Sequence, residues 1–149
     1  MSPTPATEPT GDKRERILDA ALELFAGRGF HGTPVPMIAE QAKVGAGTIY
    51  RYFDSKETLV NALYRREKEA ILAHLLNDFP FDYSQARQQF RTFFYRIVEY
   101  AQRQPKSFMF LEHHHHAPYL DDQSRALEQR VIAIAHGYLA ETGRRQITK

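Results

Sequence analysis

Val44-Gly45-Ala46-Gly47-Thr48-Ile49-Tyr50-Arg51-Tyr52-Phe53 is the stretch on which the reading of this chain turns. On a helix, Ile49 and Phe53 are four positions apart and share one face, which can be pinned to a core. Ala46 and Gly47 are small, so backbone at the helix start can come close to a partner. The unpaired N–H groups and positive dipole end there suit a phosphate. Thr48 offers a hydroxyl to a base edge or a methyl to thymine. Tyr50, Arg51 and Tyr52 add two phenols and a guanidinium.

Working upstream, Lys43-Val44-Gly45 forms a tight turn, with Gly45 the N-cap of a third helix over 46–53. A short second helix precedes it through Ile38, Ala39 and Ala42. Thr33 is its expected cap, and Pro34 and Pro36 fall in its first turn, where N–H groups lack helical partners. Before that, Asp12 and Glu15 stand in capping-box spacing. Ile17, Leu18, Ala21, Leu22, Leu24 and Phe25 then line a first helix that Gly27 and Gly29 end. Two short helices joined by a glycine-containing turn form a helix-turn-helix, whose second helix enters the major groove.

Downstream, Ser55 caps a fourth helix, roughly 55–78, stopped by Pro80. Lys56 lies in its first turn, where the dipole disfavours a cation, and a phosphate contact would account for it. The run Arg65-Arg66-Glu67-Lys68-Glu69 reads as a solvated face with i,i+4 pairs. Further helices are expected at about 84–104, from Pro105 towards Pro118, and at about 121–142. The last carries two apolar stripes, Leu127, Val131, Ile134 and Tyr138 against Ile132, Ala135 and Leu139, which suggests packing on two partners. No segment alternates like a strand, so the expected fold is all-α.

Composition limits the function more weakly. The 149 residues include no cysteine, which excludes a disulfide scaffold and thiolate metal sites. No run reaches the roughly 18–20 apolar residues of a membrane span, and there is no apolar signal core, so a soluble cytoplasmic protein is expected. Net charge is +2. Residues 1–60 hold seven Lys/Arg and eight Asp/Glu, giving −1. Nucleic-acid binding must therefore rest on a few placed cations and not on a broad basic field. On residue pattern alone, a DNA-binding head and an ordinary amphipathic helical protein both stay open.

The run from Ile17 to Leu59 resembles the DNA-binding domain of the tetracycline-repressor (TetR) family. The resemblance is carried by Ile17-Leu18-Asp19-Ala20-Ala21, Leu24-Phe25, Gly29-Phe30, Thr33, Val35, Ile38-Ala39, Ala42, Val44, Gly47-Thr48, Ile49-Tyr50, Tyr52-Phe53 and Ser55-Lys56-Glu57. It implies that Thr33, Tyr50 and Lys56 hold phosphates and that Ala46, Gly47, Thr48, Arg51 and Tyr52 lie at or near the bases. Gly45 and Ala46 depart from the family, which often has Ser or Thr at the first and Lys or Arg at the second. The candidate DNA-contacting set is Thr33, Gly45, Ala46, Gly47, Thr48, Tyr50, Arg51, Tyr52 and Lys56.

The resemblance further implies a DNA-binding regulator, most often a repressor released from its operator by a small molecule, acting as a homodimer. The expected division is a disordered tail over 1–11, a helix-turn-helix domain over 12–56, and a helical ligand-binding and dimerisation domain over 57–149. Family members run longer, so the chain is expected to be C-terminally truncated or to dimerise with less surface. The alternative is a helical small-molecule or metal-binding module with impaired DNA regulation. Phe90, Phe93, Phe94, Phe108 and Phe110 can line an apolar cavity or form plain core. Within Glu112-His113-His114-His115-His116, only His113 and His116, or Glu112 and His116, share a helix face, too few for a closed metal site. Candidate effector contacts are Phe94, Phe110, His113 and His116. No metal, cofactor or membrane partner is expected. Neither is an enzyme, since no nucleophile elbow, phosphate loop or His-Glu-x-x-His motif occurs.

Overall fold

The computed structural model of the chain describes residues 10–79 and 86–147. The described residues form seven α-helices and no strand: α1 Thr10–Arg28, α2 Val35–Ala42, α3 Ala46–Tyr52, α4 Lys56–Leu76, α5 Ala86–Arg103, α6 Pro105–His114 and α7 Asp122–Ile147. The all-α expectation holds. The chain divides into two compact units, residues 1–63 and 64–149, and α4 contributes to both.

In the first unit, Ile17, Leu18, Ala21 and Phe25 of α1 are buried with Val35, Ile38, Ala39 and Ala42 of α2, and with Ile49, Phe53, Leu59, Val60 and Leu63. Each large aliphatic or aromatic side chain so buried contributes about 1.5–3 kcal/mol. The chain turns out of α1 at Gly29, whose φ of 74° is open to glycine without a Cβ clash. At Gly32 a Cβ would sit 2.3 Å from the Arg28 carbonyl oxygen, so the loop closes only around glycine.

Two helix starts differ from expectation. α1 spans Thr10–Arg28, so Asp12 lies within the helix and not at the expected N-cap position. Pro34, extended at φ −68° and ψ 149°, occupies the N-cap of α2. Thr33 is turned inward instead: its hydroxyl donates to the Gly29 carbonyl at 2.8 Å, with the Leu24 carbonyl at 3.4 Å. Ser55 caps α4 as expected, its Oγ accepting from the Thr58 N–H at 3.1 Å.

The second unit corrects the reading of the charged run at 65–69. It is not a solvated face. Glu67 is buried and pairs with Arg66 at 2.8 Å, while Arg65 and Lys68 reach across to Asp121 and to Glu128 of α7. Lys68 Nζ lies 2.6 Å from Glu128 Oε2, which also accepts from the Tyr64 hydroxyl at 2.8 Å. Arg65 pairs with Asp121 at 3.1 Å, and Asp121 in turn accepts from the Ser124 N–H at 2.9 Å, capping α7. Between α5 and α6, the Tyr100 hydroxyl and Ser107 Oγ form a buried bond of 2.7 Å.

The aromatic repeat on α5 forms the expected helix but not the expected core. Phe90 and Phe94 are 67% and 59% exposed and stack on each other at 6.4 Å. Among the α7 stripes, Leu127 and Val131 are half-buried and Ile132 is exposed. The side chains of Ile134, Ala135, Tyr138 and Leu139 lie outside those described, as do Pro80 and most of the expected N-terminal tail.

Candidate nucleic-acid interface

The recognition-helix geometry starts with how α2 stops. Lys43 takes a left-handed conformation, φ 57° and ψ 45°. Its N–H donates to the Glu40 carbonyl at 3.2 Å, and the Val44 N–H donates to the Ala39 carbonyl at 3.0 Å. These are the two bonds of a Schellman closure, in which the left-handed residue is usually glycine. A side chain there costs roughly 1 kcal/mol. Arg16 of α1 offsets this by clamping the turn. Its Nη2 donates to the Ala42 carbonyl at 3.0 Å and to the Lys43 carbonyl at 3.2 Å.

α3 then starts at Gly45, an extended N-cap at φ −72° and ψ 151°, whose carbonyl accepts from the Thr48 N–H at 3.0 Å. Ile49 and the following Phe53 are 1% and 2% exposed, so the helix is pinned on one side. The opposite side is presented outward. Ala46, Gly47, Tyr50 and Arg51 are exposed, and Thr48 and Tyr52 are half-buried. A Cβ at Gly47 would meet nothing within 4 Å, so the backbone there is open to close approach. The structure therefore brings Gly45, Ala46, Gly47, Thr48, Tyr50, Arg51 and Tyr52 onto one short element.

Two expected phosphate holders are placed differently. Thr33 is fully buried, its hydroxyl committed to the turn after α1. Lys56 donates to the Phe30 carbonyl and lies over the Phe30 ring, 4.1 Å from the centroid. Burial holds its ammonium below the usual lysine range, outweighing the opposite pull of Glu57. Its place in the first turn of α4 is thus accounted for within the head, because a carbonyl 26 residues away satisfies it.

The four candidate effector contacts do not share one environment. Phe110 is fully buried, Phe94 is exposed, and His113 and His116 are exposed. The buried histidine is His114, stacked on Phe110 with centroids 4.3 Å apart and bonded through Nδ1 to the Phe110 carbonyl at 2.8 Å. Burial pushes its imidazole below the usual histidine value, against the backbone bond that raises it. Which residue of a four-histidine run turns inward depends on helix phase, and the sequence pattern does not set that phase. Among the described residues, no three His, Asp or Glu side chains are grouped to hold a metal ion. No helix of the described residues is long and apolar enough to cross a membrane.

The fold and the presented face define a helix-turn-helix protein with a separate helical C-terminal unit. Residues 17–63 match the family described as bacterial regulatory proteins, tetR family. Residues 68–148 match the tetracyclin repressor-like C-terminal domain. The chain belongs to the TetR family. It is 42% identical over 67 residues to the HTH-type transcriptional repressor KstR2 of Rhodococcus jostii, covering 44% of this chain and 33% of that protein. It is 38% identical over 66 residues to the fatty acid metabolism regulator protein of Bacillus subtilis, covering 44% and 34%. These matches span about a third of each relative's length. A TetR-family regulator from Marinobacter aquaeolei has the same fold, with a TM-score of 0.70 and 25% identity, over 93% of this chain and 70% of that one. A TetR-family regulator from Haemophilus influenzae aligns with a TM-score of 0.63 and 27% identity, over 76% and 62%.

Proposed function

We propose that this chain is a transcriptional repressor of the TetR family that binds double-stranded operator DNA through α3. One observation carries the reading. α3 is anchored by Ile49 and Phe53 while Ala46, Gly47, Tyr50 and Arg51 face outward, which is the arrangement a helix needs to enter a major groove. In this reading Arg51 and Thr48 meet base edges, Tyr50 and Tyr52 meet backbone or bases, and the N–H groups after Gly45 approach a phosphate.

The second unit is read as the effector and dimerisation unit, supported by its match to the family's C-terminal domain. A small molecule bound there shifts the spacing of two heads on a homodimer and releases the operator. The protein so described works in the cytoplasm and performs no catalysis. Binding-site selection from random duplexes tests the DNA reading. Enrichment of one recurring sequence, bound more weakly as salt rises, is expected. No enrichment, together with affinity that ignores salt, would overturn it.

A further inference from the structure

The head carries little positive charge, and Lys56 is drawn inward onto Phe30. A neutral head that binds DNA must place its remaining cations well. Two of them bracket α3. Lys43 stands on the turn before it, exposed, in the left-handed conformation that glycine would adopt freely. Arg14 of α1 stands at the other end. Its guanidinium lies 5.3 Å from the ring centroid of Phe53, the residue that ends α3, and its side chain is 45% exposed.

We propose that Lys43 and Arg14 are backbone-phosphate contacts that straddle the major groove on either side of α3. This rests on the DNA-binding reading and adds to it two residues outside the helix-turn-helix contact set. α3 has seven residues, so at 1.5 Å per residue it is roughly 10 Å long. A helix that short, seated in a groove roughly 12 Å wide, keeps both of its ends within side-chain reach of the phosphates that line the groove. Phe53 holds Arg14 by its aromatic face, which leaves the N–H edge of the guanidinium for a phosphate fork. The Glu15 carboxylate, 3.5 Å from Arg14 Nη1 and itself exposed, is a weak competitor of the kind solvent screens. Lys43 is fixed because Arg16 holds its carbonyl and that of Ala42.

Phosphate contacts are independent of sequence, so a mixed-sequence duplex of about 30 base pairs is a sufficient probe. Binding of the full chain is followed by fluorescence anisotropy across a salt series. Each phosphate contact contributes about 0.9 to the slope of log affinity against log salt. Arg14→Ala and Lys43→Gly are each expected to lower the slope by about 0.9 per bound head, about 1.8 for a homodimer with both heads seated, and the double variant by twice that. Arg14→Lys should keep the slope, and so should Arg130→Ala, which removes a charge from α7. Lys43→Gly relaxes the left-handed turn, so its loss of affinity cannot come from misfolding. Slopes unchanged in both single variants, with the wild type binding normally, would overturn this inference and leave the DNA reading intact. A wild type that fails to bind duplex DNA at low salt would overturn both.

Discussion

Lys56 Nζ sits 4.1 Å above the centre of the Phe30 ring while donating to the carbonyl of the same residue. The start of α4 is thereby tied to the turn that follows α1. A charge-assisted bond contributes about 1.5–3 kcal/mol and a partly exposed cation–π contact about 0.5–1 kcal/mol, reduced by the desolvation that lowers the lysine pKa. Lys56→Met, which keeps the aliphatic stem, is expected to destabilise the protein by about 1–2 kcal/mol. Urea unfolding checks this: the midpoint should fall while the m-value stays constant.

Acid should loosen the second unit in two steps. His114 has a depressed pKa, because burial disfavours its charged form. Its unfolded form takes up a proton near 6.5 while the folded form resists, so stability is complete above that pH and declines as pH falls towards the folded value. Glu128 and Asp121 give the second step. Burial raises both carboxyls. On Glu128 the bonds from Lys68 and Tyr64 outweigh it, and on Asp121 those from Ser124 and Arg65 do. Each ends below its ordinary value, so this stability is present above the unfolded pKa and lost as pH falls through the folded one. His114→Phe should remove the upper step and leave the lower, as read by thermal melting between about pH 3 and 8.

Aromatic residues of similar sequence context should differ sharply in cost. Phe110 is fully buried, so Phe110→Ala is expected to cost about 3–5 kcal/mol. Phe94 is 59% exposed, and Phe94→Ala should cost less than about 1 kcal/mol. Comparable losses for the two in chemical denaturation would show that the α5 face is buried.

The extent to which the sequence foretold this structure follows the range of the forces involved. Glycine and proline punctuation is local, so the end of α1 at Gly29 and the start of α3 at Gly45 were readable, and the start of α2 was readable to within one residue, Pro34 taking the N-cap expected of Thr33. Ile49 and Phe53 share a face by helix geometry alone and are buried together. Lys56 was not readable in this way, since its partner Phe30 lies 26 residues away. Thr33 bonds Gly29 only four residues back, but a threonine between two helices can serve the turn behind it as well as cap the helix ahead. Arg65 and Lys68 look solvated in a linear sequence because Asp121 and Glu128 lie more than 50 residues away. Periodicity identified α5 as a helix, but it does not say whether an apolar stripe has anything to pack against.

The central claim is that α3 reads DNA, and Arg51 is the residue that tests it most directly. Affinity for the sequence selected from random duplexes is compared with affinity for a single-base-substituted series, for the wild type and for Arg51→Ala. Arg51→Ala is expected to weaken the selected site by about 1–3 kcal/mol and to abolish discrimination at one or two positions only. An Arg51→Ala protein that binds and discriminates like the wild type at every position would contradict the claim.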